Sequence, residues 1–183
     1  MSLLYKATDK ELLKLRQDIF IRFGIPSLEK QGFKKTPFSG SHFGWNGFGY
    51  MYEYCRILEK SRLEMVTVNI NRGEKWVQIY LNIFQLFPDI SAIEQLDGID
   101  GVQFHLPPNT DTLMRLEPPK GIIFHKMPQH KIKIYFTKVG LENRLSQLGN
   151  LIEDDLNNID DFIKRWLKIY SPLLTIWDGN PLT

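Results

Sequence analysis

The chain has 183 residues, 43% hydrophobic and 24% charged, and its 23 basic and 21 acidic side chains leave a formal charge of +2. A chain of this length buries roughly 70% of the surface its unfolded form exposes, so a single domain over 1–183 needs no metal or disulfide staple. The composition excludes disordered and fibrous classes, and the balanced charge excludes a global field drawing the molecule to phosphate backbones.

Cys55 is the one cysteine and has no intrachain partner, which points to a reducing, cytoplasmic compartment. The N-terminus, MSLLYKATDKELLKLR, becomes charged too early for a signal peptide, and no stretch reaches the roughly 20 apolar residues of a membrane span. The expectation is a protein with no membrane association.

Thr8 and Glu11 stand at capping-box spacing and start a helix. Along it Leu12, Leu15, Ile19 and Phe23 recur at helical intervals, and Gly24 with Pro26 predicts its end. A second short helix, Pro26 to Gln31, stops at Gly32. The period then changes to two. Phe48, Tyr50, Tyr52 and Tyr54 share one parity, and Gly47, Gly49, Met51, Glu53 and Cys55 the other, so this is a strand with an aromatic face. Turns at Glu59 to Arg62 and Asn71 to Glu74 lead into strands from Leu63 to Asn71 and from Lys75 to Phe87, an antiparallel meander.

Ser91 to Leu96 reads as a helical turn with Glu94 at its capping-box position, ended by Asp97 to Gly101. Val102 to Leu106 and Ile122 to Lys126 read as added strands, with proline-rich surface loops at 107–109 and 117–121 between them. After a turn at Met127 to His130, Lys131 to Lys138 alternates again, with Ile132, Ile134 and Phe136 opposing Lys131, Lys133 and Tyr135. Leu141, Leu145, Leu148, Ile152 and Leu156 form a helical stripe. Asn158 then caps a last helix carrying Ile159, Phe162, Ile163, Trp166, Leu167 and Tyr170, which Ser171 and Pro172 stop. The tail from Leu173 to Trp177 is apolar enough to pack back on the domain. Helix, sheet, helix is the order of an α+β fold. An antiparallel sheet of five to six strands is covered on one face by helices from both chain ends.

No P-loop, HExxH, paired CxxC or GxSxG is present. Ser41 and His42 are adjacent, but a triad needs a third orienting group and an oxyanion site, which adjacency does not supply. His42, His105, His125 and His130 lack a metal-ligand pattern, and no cofactor is indicated. Cys55 falls inside a strand, where a buried thiol is inert, and Arg56 beside it points to the other face. Glu153, Asp154 and Asp155, with Asp160 and Asp161, read as solvated helix faces and N-terminal charge. Glu53 and Glu64 are expected to face each other across the first hairpin, giving an alternative enzyme site with His42 and His105.

The chain spends its unusual residues elsewhere. SGSHFGWNGFGYMYEY, 39–54, alternates glycines with aromatics that offer large, rigid contact area. A nonenzymatic module binding a protein or small ligand through His42, Phe43, Trp45, Tyr50 and Tyr52 is the leading expectation. Lys30, Lys34, Lys35, Lys126, Lys131, Lys133 and Lys138, interleaved with Phe33, Phe38, Phe43, Trp45 and Tyr135, suggest a second. That is an aromatic and basic platform for single-stranded nucleic acid. Exposed aromatics and strand edges are also compatible with a homodimer.

Overall fold

The computed structural model describes residues 4–58, 61–105, 113–115, 130–169 and 171–178. Thr8 opens the first helix, α1 (Asp9–Ile19), through the expected capping box: Glu11 N donates to Thr8 Oγ1, and Thr8 N donates to Glu11 Oε2 at 2.7 Å. Two orphan amides are satisfied at once.

The expected stop at Gly24 does not occur. The chain passes through a π-helical turn, Phe20–Gly24, into α2 (Ile25–Lys30), with Ile25 N donating to Phe20 O. Gly24 keeps a helical φ of −73°, and a Cβ added there would lie 2.3 Å from the Phe20 ring. This glycine makes room for a buried aromatic; it does not terminate a helix. Pro26 falls in the first turn of α2, where its missing N–H costs little.

Three ten-residue strands form the middle of the sheet: β3 (Gly49–Leu58), β4 (Arg62–Asn71) and β5 (Gln78–Phe87). They pair antiparallel in the expected meander, with Tyr54 opposite Val66 and Val66 opposite Leu81. Short strands extend both edges. β1 (Lys34–Lys35) and β2 (Phe43–Trp45) share the outer side of β3. β6 (Leu113–Arg115) pairs antiparallel with β5, and β7 (Leu173–Ile176) runs parallel to it. The C-terminal tail therefore packs back as a strand, and Trp177 Nε1 donates to Pro88 O at 2.7 Å. Together these make an α+β fold with a mostly antiparallel sheet.

One face carries Val66, Val68, Ile70, Ile79, Leu81 and Ile83, packed against Leu12, Leu13 and Phe20 and against the C-terminal helices α4 (Lys138–Asn157) and α5 (Ile159–Ile169). At about 1.5–3 kcal/mol for each large apolar side chain buried, this face dominates the stabilisation. The opposite face is covered too. Cys55, Leu63, Met65, Phe84 and Leu86 pack under Phe38, Leu96 and Phe104.

That second core explains one correction. Val102–His105 is a short helix, α3, rather than the expected strand. Gly101 turns the chain at φ +76°, Asp100 Oδ1 accepts Val102 N, and Phe104 is thereby inserted between Phe38 and Phe84. At the preceding 3₁₀ turn, Ile93–Leu96, Gln95 rather than Glu94 supplies the capping oxygen, accepting Ser91 N and Ala92 N.

A further correction concerns 131–138. Among the described residues a single bridge, Trp76 to Lys131, joins this segment to the sheet edge, and Ile132 is buried while Ile134 and Phe136 are exposed. After Ile132 the chain leaves the sheet for α4, so the alternation no longer maps onto inside and outside. The expected strand Ile122 to Lys126, the proline loops and the turn at Met127 to Gln129 lie outside the described residues, as do Glu59 and Lys60 of the first turn.

Arg56 ties the layers together. Its guanidinium meets the fully buried Glu64 carboxylate at 2.7 Å, donates to Gln31 O at 2.7 Å, pairs with Asp160 at the start of α5, and lies 4.5 Å over the Phe33 ring. Arg56→Ala leaves the buried Glu64 carboxylate with Arg62 alone and should cost about 1–3 kcal/mol in urea unfolding. Gly24→Ala should also destabilise, by about 1–3 kcal/mol, because the clash with Phe20 exceeds the roughly 1 kcal/mol that alanine gains in a helix. A Gly24→Ala midpoint equal to or above wild type would refute this packing account.

Candidate functional site

The glycine and aromatic stretch divides between the two faces of the sheet. In the β2 and β3 hairpin, Phe43 lies opposite Tyr52 and Trp45 opposite Tyr50. The connection is short and heavily bonded. Asn46 Oδ1 accepts both Phe48 N and Gly49 N, Asn46 N donates to Gly49 O, and Gly47 takes φ +97°. A Cβ at Gly49 would lie 2.3 Å from Ile70 O, so only glycine lets β3 approach β4 there.

This turn holds its aromatics outward. Phe48 is 82% exposed and Trp45 57%, with Trp45 braced edge-on against Tyr50 at 5.5 Å between ring centroids. Phe43 is more than a third exposed, meets Tyr54 edge-on at 6.0 Å and carries Lys35 Nζ 5.2 Å above its ring. Tyr52 takes a different part. It is buried against Phe20, and its hydroxyl accepts from Gln17 Nε2 at 2.9 Å. Burial raises its phenol above the usual range and pushes Tyr54 up to about 12, so both remain neutral supports beneath the surface. Phe48, which sequence reasoning assigned to the strand face, is the most exposed aromatic of the hairpin.

His42 sits on the other side, next to Glu53. Its backbone N–H donates to Glu53 Oε2 at 2.8 Å, and its Nδ1 lies 3.8 Å from the same oxygen while the ring stays half-exposed. The fully buried Glu53 carboxylate thereby pins the loop that leads into β2. Ser41 does not join His42 in a nucleophilic pair, since its hydroxyl lies 2.6 Å from Thr36 Oγ1.

Glu53 and Glu64 do not converge as expected. Glu53 is opposite Thr67 and Glu64 opposite Arg56, which places the two carboxylates on opposite faces of the sheet. An odd sequence position and an even one separate by parity, and a hairpin in register keeps them apart. Glu64 is held by Arg56 and by Arg62, 3.0 Å away. The side chains of His105 and His125 lie outside the described residues. Cys55 is fully buried, and burial drives its thiol pKa well upward. Among the described residues no group of three or more His, Cys, Asp and Glu side chains is placed to hold a metal. Among them, too, no helix is long and apolar enough to cross a membrane.

The basic and aromatic residues do not form one platform: Lys35 lies over Phe43, and Lys131 and Lys133 lie near Tyr135, in two separate places. Phe33 and Phe38 are core residues. Lys34 and Lys35 lie on β1, whereas Lys131 follows His130 at the bridge to Trp76, with β3 and β4 between the two groups.

A pair that sequence reasoning missed is His130 with Asp155, 2.7 Å apart and both buried. Asp155 is not on the solvated face expected for the acidic cluster. A stripe residue count places it one position before Leu156, near enough to the buried side of α4 to be recruited. With the carboxylate ionised, Nε2 carries the proton that bridges the pair, and Nδ1 has no partner. Both groups are buried, and the pair anchors the 130–132 segment to α4.

No family model matches the chain, and neither curated proteins nor solved structures include a similar one.

Burial raises the Asp155 carboxyl above its ordinary range, against the lowering effect of its bond to His130. A raised folded-state pKa means that the folded state binds the proton more readily, so this group's contribution falls as pH rises through that raised value. Asp155→Asn keeps an oxygen for His130 and removes the charge. Its stability relative to wild type should therefore improve from acid toward neutral pH, read as the difference in urea midpoints. A difference that shrinks over that range would contradict the assignment.

Proposed function

We propose that this protein is a binding module that presents the β2 and β3 hairpin to a protein partner. The observation that supports it most is the exposure of Phe48 and Trp45 on a turn whose backbone amides are already satisfied by Asn46. Large aromatics held rigid before binding lose little conformational entropy on association, and such residues dominate interface energetics. Phe43 and Tyr50 widen the patch, with Tyr52 bracing it from beneath, while His42 lies on the other side against Glu53. Lys35 beside Phe43 supplies a cationic rim. A partner with an apolar pocket for Trp45 and Phe48 and acidic residues at its edge matches this chemistry.

The test is an affinity capture followed by measurement on the recovered partner. Trp45→Ala with Phe48→Ala should leave folding stability within about 1 kcal/mol, since both side chains are exposed. The pair should weaken the partner by more than about 1 kcal/mol per residue, roughly thirtyfold or more together if the two add. A partner that binds the double variant as tightly as wild type would show that the hairpin is not the interface.

A further inference from the structure

Away from the hairpin, three extended segments and two helices line a cleft of about 670 Å³. Ile132 N donates to Lys75 O, Val77 N to His130 O and Tyr5 N to Phe136 O, which brings the N-terminal segment, the approach to β5 and residues 130–136 side by side. Arg144 of α4 closes the cleft, with Nε bonded to Ile134 O.

The lining is strongly cationic. Lys6, Lys75, Lys131, Lys133 and Arg144 face one carboxylate, Asp9, in a chain whose overall charge is only +2. Among the described residues none of the five forms an ion pair, whereas Lys14, Lys34 and Lys164 elsewhere each reach a carboxylate. Behind the wall, the fully buried Arg16 donates to the carbonyls of Leu12, Asn71 and Trp76, and its charge is balanced by the nearby Glu74 and Asp9 carboxylates, so the excess charge is that of the five lining cations. Clustered like charges repel, and a multiply charged anion relieves that repulsion in a way water and dispersed counterions do not. Apolar walls from Leu12, Ile132 and Tyr135 complete a site of small-molecule dimensions.

We infer that this cleft binds a ligand with clustered phosphates, a polyphosphate group carried on an organic moiety that rests against the apolar wall. Four or so uncompensated charges within this volume exceed what a mono- or dicarboxylate neutralises. Lysine ammonium groups and an arginine fork are the side chains that hold phosphate oxygens. The phosphates come either from a soluble compound or from a phosphorylated lipid headgroup. In the second case the exposed Ile134, Phe136 and Val139 beside the cleft would contact the bilayer.

Two titrations on the full chain separate these sources. Inorganic tripolyphosphate is followed by calorimetry, and phosphatidylcholine vesicles with and without phosphatidylinositol bisphosphate are followed by co-sedimentation. Saturable one-to-one tripolyphosphate binding identifies a soluble ligand, and binding only to the phosphoinositide vesicles identifies the headgroup. In either arm Lys131→Gln with Lys133→Gln should weaken binding at least about tenfold, and raised salt should weaken wild type further. Lys30→Gln with Lys168→Gln, the same change in net charge outside the cleft, should leave binding within about twofold. These lysines are exposed, so thermal unfolding should confirm that both variants fold. Absence of binding in both arms overturns the proposal, as does equal loss in the two variants.

Discussion

The guanidinium of Arg56 is the point at which both helical ends of the chain are tied to the sheet. It comes from β3, reaches the carbonyl that ends α2, neutralises Glu64 on β4 and meets Asp160 in the first turn of α5. A fully buried carboxylate is tolerated because two arginines satisfy it, and its position then dictates how the helical layer sits. The charges specify an arrangement, while the apolar face around them supplies most of the free energy.

Arg16 does the same for the first helix by different means. No carboxylate is bonded to it; three backbone carbonyls, of Leu12, Asn71 and Trp76, accept its hydrogen bonds. Burial lowers its pKa to about 10, which still leaves it charged at neutral pH. The α1 helix is thereby fixed over the turn between β4 and β5, and that turn is a neighbour of both surfaces discussed above. Arg72 N donates to Phe48 O at the tip of the hairpin, and Lys75 lines the cationic cleft. A rigid core places two chemically different surfaces around one turn.

Those surfaces suit different ligands for physical reasons. The hairpin offers convex aromatic area with polar edges, which matches a pocket on a macromolecule. The cleft is concave and strongly cationic, which matches a compact anion. Among the described residues neither surface pairs a nucleophile with a neighbouring base, and Glu53 and Glu64 lie on opposite faces of the sheet.

Local pattern was legible wherever one interaction range sufficed. Thr8 and Glu11 announced their capping box, the alternation from Tyr50 to Tyr54 announced β3, and the stripe from Leu141 to Leu156 announced α4, because each depends on residues within a few positions. The candidate site was half legible: glycine and aromatic density marked the segment, but not that Phe43–Trp45 pairs back on β3 as a hairpin, nor which aromatics face outward. Tyr52 and Trp45 look equivalent in sequence, and only the position of α1 buries one and leaves the other. Gly24 and Val102 to His105 were misread because their conformations answer to Phe20 and to the gap between Phe38 and Phe84, contacts that no local period encodes. Sequence by itself determined the helix, sheet, helix order and the α+β class, through periodicity and capping. Tertiary structure alone decided the pairing of Arg56 with Glu64, the burial of His130 with Asp155 and the gathering of five cations in one cleft. Each joins residues distant in sequence, and only packing the layers brings them within reach.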